Sequence, residues 1–320
     1  MRVGFRRYPV LALLACVVVS GGGLAQPAPP AGGPAFLPPP GTGPNFPFAP
    51  SAEVWPHAQD DTALVEPPRV EFFPTSLLWE PKLADRRDPR LSVVFHDANS
   101  FFSDRTADPS LGLTAGVVRV QSAEFPDLAV QVDLFGVAHL RFSRFDESIA
   151  QDYRAGVPVT FRVGNVVGKV GYEHTSTQLG DELNESGRRV RRTFERDEIV
   201  AGLGYLWRNQ LRAYGQAAYA LYRNIPGDPD RWRYDTGFDW YKRETTGLRG
   251  QPFAAVNAAF DPAVNYQVTM NYQVGWMWRV ADRRLSQFRV YAEFYDGRSM
   301  YGQLFDLRER YVGFGVSLDY

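Results

Sequence analysis

The sequence predicts an all-β protein: a single antiparallel transmembrane β-barrel of about twelve strands behind a Pro-rich N-terminal tether. Three observations predict it. Segments of about ten residues alternate apolar and polar side chains from residue 91 to the end, the period of a strand with one face in an apolar medium. Aromatic residues make up 14% of the chain, with 22 Phe, 16 Tyr and 7 Trp, a content that suits rings placed at a membrane interface. After residue 25 no run of 18 apolar residues occurs, so a membrane protein of this sequence has to cross as a closed barrel, with no strand edge left in lipid.

The elements follow in chain order. Residues 1–25 read as a secretory signal peptide. Arg2, Arg6 and Arg7 form the charged region, "VLALLACVVV" the apolar core, and Gly23 and Ala25 the small residues before cleavage at Gln26. "LLAC", ending at Cys16, is also compatible with a lipoprotein box, but cleavage there leaves a very short apolar core. Cys16 is the single cysteine, so a chain that loses its leader has neither disulfides nor Cys-based metal sites. Residues 26–70 carry thirteen of the 24 prolines, mixed with Gly and Ala. Such a stretch buries too little side chain to fold and reads as a disordered, semi-rigid periplasmic tether. Residues 71–90 read as a periplasmic segment or a plug, and residues 91–320 as the barrel.

Twelve strand segments are expected: 91–97, 111–122, 128–143, 152–162, 165–175, 196–207, 211–222, 232–242, 252–261, 266–279, 286–296 and 310–320. In "RYVGFGVSLDY" Val312, Phe314, Val316, Leu318 and Tyr320 face one way, and Tyr311, Gly313, Gly315, Ser317 and Asp319 the other. Runs of this length suit a tilted strand crossing a bilayer, which needs about 9–11 residues. Three features fit less well. The connection at 243–251 is long for a periplasmic turn, that at 262–265 is short for an outer loop, and Pro158 removes a ladder donor inside a strand.

Several stretches resemble a family of bacterial outer-membrane β-barrels known only as a domain of unknown function: "FFPTSLLWEPKLADRRDPRLSV" (72–93), "YEHTSTQLGDE" (172–182), "YDGRSMYGQLF" (295–305) and "YVGFGVSLDY" (311–320). In that family Ser and His more usually stand where this chain has Thr177 and Gln178. The resemblance implies the barrel fold and the outer membrane, and it implies no settled activity. A chain ending on an alternating strand with terminal Tyr320 also looks like a substrate of the barrel-assembly machinery. Expected partners are therefore that machinery and the outer membrane's lipid and lipopolysaccharide.

Within the fifth segment, Val166, Gly168, Val170, Tyr172, His174 and Ser176 share the apolar, outward face, while Lys169 and Glu173 point to the lumen. The parity of the sixth segment puts Glu195 and Asp197 outward too, beside their hairpin partner. Ser176, His174 and Asp197, with Glu195 as the alternative carboxylate, are thus a candidate catalytic set on the outer wall. A serine needs a base to take its proton and the base needs an orienting acid. The His-x-Ser arrangement is similar to outer-membrane phospholipase A and lipid A deacylase, barrels that attack lipid esters from the outer wall. Calcium enters as a cofactor only under that hydrolase reading; otherwise no cofactor is expected.

Asp181 and Glu182 are expected to tie down the outer loop by pairing with Arg188, Arg189, Arg191 or Arg192. Those arginines offer an alternative role, gripping phosphates of surface lipid. Arg162, Lys169, Arg289 and Glu293 are candidates to line a narrow pore. His57, His96, His139 and His174 are scattered and suggest no metal site. The net charge of -1 and the absence of a basic domain argue against a nucleic-acid partner. The expected function is structural, receptor or narrow-pore, with outer-leaflet lipid or ester hydrolysis as the alternative.

Overall fold

The computed structural model describes residues 68–97, 105–122, 124–125, 127–143, 147–242, 244–279 and 287–319. The leader expected at 1–25, nearly all of the tether, Cys16, His57 and Tyr320 lie outside these residues.

A short strand, β1 (Arg69–Phe72), pairs with the far end of β3 (Thr106–Gln121). The remaining strands are β2 (Leu91–His96), β4 (Leu128–Ser143), β5 (Glu147–Val163), β6 (Val166–Leu179), β7 (Glu195–Trp207), β8 (Leu211–Asn224), β9 (Trp232–Tyr241), β10 (Gln251–Phe260), β11 (Val268–Arg279), β12 (Gln287–Arg298) and β13 (Arg308–Asp319). Each of β2 to β13 pairs antiparallel with its sequence neighbour, and β13 returns to β2 with Leu318 opposite Leu91 and Phe314 opposite Phe95. The sheet therefore closes as a twelve-stranded barrel. Closure satisfies the backbone groups that an open edge would leave exposed.

The expected strand division stands, including the hairpin around 242–267. The long connection there holds a 3-10 turn at Gly247–Arg249, and the short one holds another at Pro262–Val264. Two strands start earlier than the pattern suggests, β3 at Thr106 and β5 at Glu147. "TADPS" and "ESIAQ" look like turns, but Thr106, Asp108 and Ser110 are buried lumenal side chains and the neighbouring strands extend the ladder. Pro158 is accommodated locally. The β4–β5 register skips between Val132–Val159 and Phe135–Gly156, so the ladder is open opposite Pro158. On its other side stands Gly171, where a β-carbon would lie 2.5 Å from the Pro158 Cα.

Period two sorts the wall. Outward positions such as Val170, Ile199, Leu203, Val274, Val312 and Phe314 are exposed, and Trp207, Trp240, Trp232, Tyr234 and Tyr222 are exposed aromatics near strand ends. Inward positions are polar and buried, among them Asp108, His139, Lys169, Glu173, Arg212, Arg233, Asp235, Arg289, Glu293 and Asp319.

The lumen is filled by irregular chain. An irregular segment has no ladder of its own, so each buried carbonyl needs a donor from elsewhere. Between residues 77 and 90 the wall supplies them. Arg212 donates to the carbonyls of Glu80 at 2.6 Å and Pro81 at 2.8 Å, Asn271 to that of Ala84 at 2.8 Å, and Arg154 to that of Arg87 at 2.6 Å. Side chains lock the same segment: Lys82 bonds Asp235 at 2.7 Å and Asp85 at 2.6 Å, Arg86 bonds Asp108 at 2.8 Å, and Trp79 packs with Val167 and Tyr214. At the loop end, the β12–β13 connection folds inward over the mouth. Tyr301 donates to the Leu140 carbonyl at 2.7 Å, Gly302 N–H to Asp152 at 2.9 Å, and Gln303 to Thr177 at 2.8 Å. Met300, Tyr301 and Leu304 pack there with Ile149, Leu179 and Leu183.

Candidate functional site

The outward residues of β6 and β7 meet as their parity requires. His174 lies directly opposite Asp197, and Ser176 opposite Glu195. His174 Nδ1 is 2.6 Å from Asp197 Oδ1, and Tyr172 donates its hydroxyl to the same oxygen at 2.8 Å. The His174 and Asp197 side chains are 46% and 29% exposed, so this trio sits on the outer wall.

Ser176 is not joined to it. Its hydroxyl makes no hydrogen bond among the described residues, and neither does the Glu195 carboxylate. The candidate set is therefore not joined through Ser176 in this structure: no hydrogen bond links it to His174 among the described residues. Residues two apart on a strand are separated by roughly 6.6 Å of rise, whereas a cross-strand pair is about 5 Å apart. The imidazole turns to its partner on β7. What the wall presents is an oriented imidazole, bonded through Nδ1, with a serine two strand positions away.

The loop between β6 and β7 begins with a short helix, α1 (Asp181–Glu185). Here the expected pairing within the loop is replaced. Glu182 accepts the Ser148 N–H at 3.2 Å, and Asp181 is exposed in the first turn. Arg189 and Arg192 both bond Asp306 on the β12–β13 connection, Arg192 at 3.1 Å. The Arg189 guanidinium also reaches the Gln303 carbonyl at 2.9 Å. A half-buried crossing to another loop gives these arginines acceptors with less exposure than the carboxylates of α1. Arg188 and Arg191 are exposed and make no hydrogen bond or ion pair among the described residues.

Of the expected pore-lining residues, Lys169, Arg289 and Glu293 are buried and engaged. Lys169 bonds Glu173 at 3.2 Å, Arg289 bonds Asp319 at 2.6 Å and the Leu83 carbonyl at 3.2 Å, and Glu293 accepts from Gln273 at 2.8 Å. Arg162 lies near the turn and donates to the Gly164 carbonyl at 2.9 Å. His96 and His139 have separate lumenal partners, Asp108 at 3.0 Å and Ser110 at 2.8 Å. Among the described residues no group of three or more His, Cys, Asp or Glu side chains is arranged to hold a metal ion.

Between the lumenal segment and the folded-in connection lies a chamber of about 70 Å³. Ala84–Arg87 line it on one side and Ser299, Met300, Gly302 and Phe305 on the other, with β5, β7, β9, β10 and β11 as walls. Sequence reasoning did not single out Arg87, Asp152 or Asn271, which border it. Asp152 and Asn271 do carry the signal of a polar residue at a lumenal strand position, but dozens of residues share that signal.

Comparison with solved structures finds several outer-membrane proteins. Outer membrane phospholipase A from Escherichia coli matches with a TM-score of 0.49 and 10% identity, over 75% of this chain and 95% of that one. The Salmonella typhi outer membrane phospholipase dimer with bound calcium matches with a TM-score of 0.47 and 12% identity, over 75% and 94%. The outer membrane protein OprD from Pseudomonas aeruginosa matches with a TM-score of 0.31 and 8% identity, over 78% and 97%. No curated protein matches the chain. The His-x-Ser likeness of residues 174–176 rests on the sequence alone. Residues 56–320 match the family described as protein of unknown function, DUF1207, and the chain belongs to that family.

Proposed function

We propose that this family member is an outer-membrane β-barrel with a closed lumen, acting as a structural or receptor protein rather than an open pore. The observation that carries this reading is the wall's bonding to residues 77–90, whose carbonyls and charged side chains are met by Arg212, Asn271, Arg154, Asp235 and Asp108. Membrane placement is supported by the exposed aliphatic outer face with aromatic residues near the strand ends. Among the described residues no helix is long and apolar enough to cross a membrane. In this reading the chain is exported by its leader, and the tether lies in the periplasm. Lipid and lipopolysaccharide surround the barrel, and the last strand is what the assembly machinery engages.

Purified protein in a planar bilayer tests the closed lumen. The expected result is no stepwise conductance in molar potassium chloride. Regular ohmic steps in the wild type would establish a pore and end the closed-lumen reading.

One observation favours a second reading, hydrolysis of outer-leaflet lipid or ester. His174 is bonded through Nδ1 to Asp197 at 2.6 Å, the orientation in which the other ring nitrogen can serve a nucleophile. Ser176 would be that nucleophile after a rearrangement that brings it to Nε2. The test is release of fatty acid from phospholipid micelles with calcium added, comparing wild type with Ser176→Ala. Activity that survives the substitution, or no activity in either protein, removes this reading.

A further inference from the structure

Two arginines stand together on the outward face of the wall at its loop end. Arg308 and Arg310 open β13, two positions apart on one face, and their side chains are 72% and 71% exposed. Both turn to one carboxylate on β12: Asp296 Oδ1 is 3.1 Å from Arg308 Nη2, and Asp296 Oδ2 is 3.8 Å from Arg310 Nε. The first contact is a hydrogen bond, and the second is an ion pair too long to be one. The Arg310 guanidinium thus donates no hydrogen bond among the described residues, and that of Arg308 donates a single one. Arg298, on the same rim, is taken by Gln267 at 2.9 Å and by the Asp306 carbonyl.

The register fixes what lies beneath the pair. Arg310 stands opposite Asp296, and Asp296 opposite Met270. Two residues nearer the middle of the wall, Val312, Phe294 and Tyr272 form a row across the same three strands. The Arg310 guanidinium lies 5.7 Å over the Phe294 ring, and that ring's centroid is 6.0 Å from the one of Tyr272. Val312 and Tyr272 are exposed, so the charged heads sit directly above an apolar, aromatic surface. From Leu318, the outward residue at the other end of β13, to Arg308 is about 33 Å of strand. At the usual tilt that is about 25 Å of height, the thickness of the apolar band of an outer-membrane barrel. In the outer-membrane reading the pair is therefore at headgroup depth, with the rings just below it where interface aromatics belong.

We propose that Arg308 and Arg310 bind the phosphate of an outer-leaflet lipid whose acyl chains run down over Tyr272, Phe294 and Val312. A phosphate monoester presents three strong acceptor oxygens, and arginine grips such a group through two parallel bonds. Residues two apart on a strand are separated by about 6.6 Å, and here both heads are drawn to one carboxylate. One phosphate approaching from the exposed side can therefore accept from both. Neither half of the ligand suffices. A free phosphate gains nothing from the rings, and a neutral lipid covers the rings and leaves the guanidinium donors to water. The inference rests on the membrane placement, since in water an exposed arginine pair beside a carboxylate is an ordinary solvated surface.

The test uses full-length protein in non-ionic detergent, titrated calorimetrically with dioctanoyl phosphatidic acid, with dioctanoylglycerol and with inorganic phosphate. Saturable binding of phosphatidic acid is expected, at least tenfold tighter than that of either half. Inorganic phosphate bound as tightly would make this a site for free anions, and dioctanoylglycerol bound as tightly would leave apolar adhesion alone; either result overturns the proposal. The double variant Arg308→Gln, Arg310→Gln should weaken phosphatidic acid binding at least tenfold. If it fails to fold, Arg310→Gln alone takes its place, with at least a threefold loss expected and no loss overturning the proposal. Arg188→Gln with Arg191→Gln, in the loop after α1, should leave the affinity unchanged; a loss equal to that of the β13 variant would show diffuse attraction and no site. The two readings also fail separately. A barrel that folds into phosphatidylcholine vesicles without preferring phosphatidic acid loses only this site, whereas a protein that enters no vesicle loses its membrane placement.

Discussion

At Gly302 the main chain passes so close to β6 and to the residue before β7 that a β-carbon would stand 2.5 Å from Thr177 Cγ2 and 2.7 Å from Phe194 Cδ1. Both neighbours are buried, so neither can step aside into solvent. Gly302→Ala should lower unfolding stability by about 1–3 kcal/mol, the usual cost of overpacking, and expose the 299–307 connection to protease. Gly187, whose added β-carbon meets nothing within 4 Å, is a contrast for clash alone: Gly187→Ala should leave the protease pattern of 299–307 unchanged. Side-chain direction was legible at this scale and bonding was not. Parity placed His174, Ser176, Asp197 and Glu195 on one face. Which acceptor an imidazole chooses depends on distances that alternation does not encode, and His174 bonds the cross-strand carboxylate and not the serine two positions along.

The lumenal segment is where element-scale reasoning from sequence ran out. Residues 77–90 have no period, and their contacts are remote: Lys82 and Asp235 are 153 positions apart. Nothing local distinguishes a buried lysine with three carboxylates around it from a solvated one. The energetics follow from the burial. Lys82 is 1% exposed and lies within ion-pair distance of Asp85, Asp88 and Asp235. Removing it leaves like charges facing one another in a dry site, so Lys82→Met should cost about 3–5 kcal/mol in urea unfolding. Adding Asp235→Asn to that variant should restore part of the loss, because one uncompensated charge is gone. A double variant as unstable as the sum of its parts would show that the pair does not interact. The loops supply a pH prediction. Burial alone would raise the carboxyl of Asp306, but its bonds to Arg189 and Arg192 hold it below the ordinary range. Its stabilisation is therefore complete above the unfolded carboxyl value of about 3.9 and is lost as pH falls through the depressed folded value. The melting temperature of wild type should exceed that of Asp306→Asn at neutral pH, and the gap should narrow as the pH falls below the unfolded carboxyl value of about 3.9.

For the molecule as a whole, the strand rhythm was legible because one medium lies outside the barrel and another inside, and every second residue answers to each. Closure followed from the same argument, and a plug was one of the two readings of residues 71–90; the bonds that hold that segment and the folded-in connection were not legible, since they depend on which strands end up opposite one another. The same two-medium argument yields a test of the membrane placement. Val170 is outward, 51% exposed, and paired with Val159 and Ala201 in the middle of the aliphatic band. Val268 is outward and 46% exposed, but it is the first residue of β11, at the loop-end rim. If water bathed the outer face, an arginine at either position would be an ordinary surface substitution, within about 0.5 kcal/mol of wild type. If lipid does, depth decides. Val170→Arg should cost about 2–4 kcal/mol and Val268→Arg about 0–1 kcal/mol. Reversible folding from urea into short-chain phosphatidylcholine vesicles measures both. Equal, small costs at the two positions would mean that the outer face does not meet hydrocarbon. The barrel would then have to be placed in water, and the lipid-facing role of the His174–Asp197 pair would go with it.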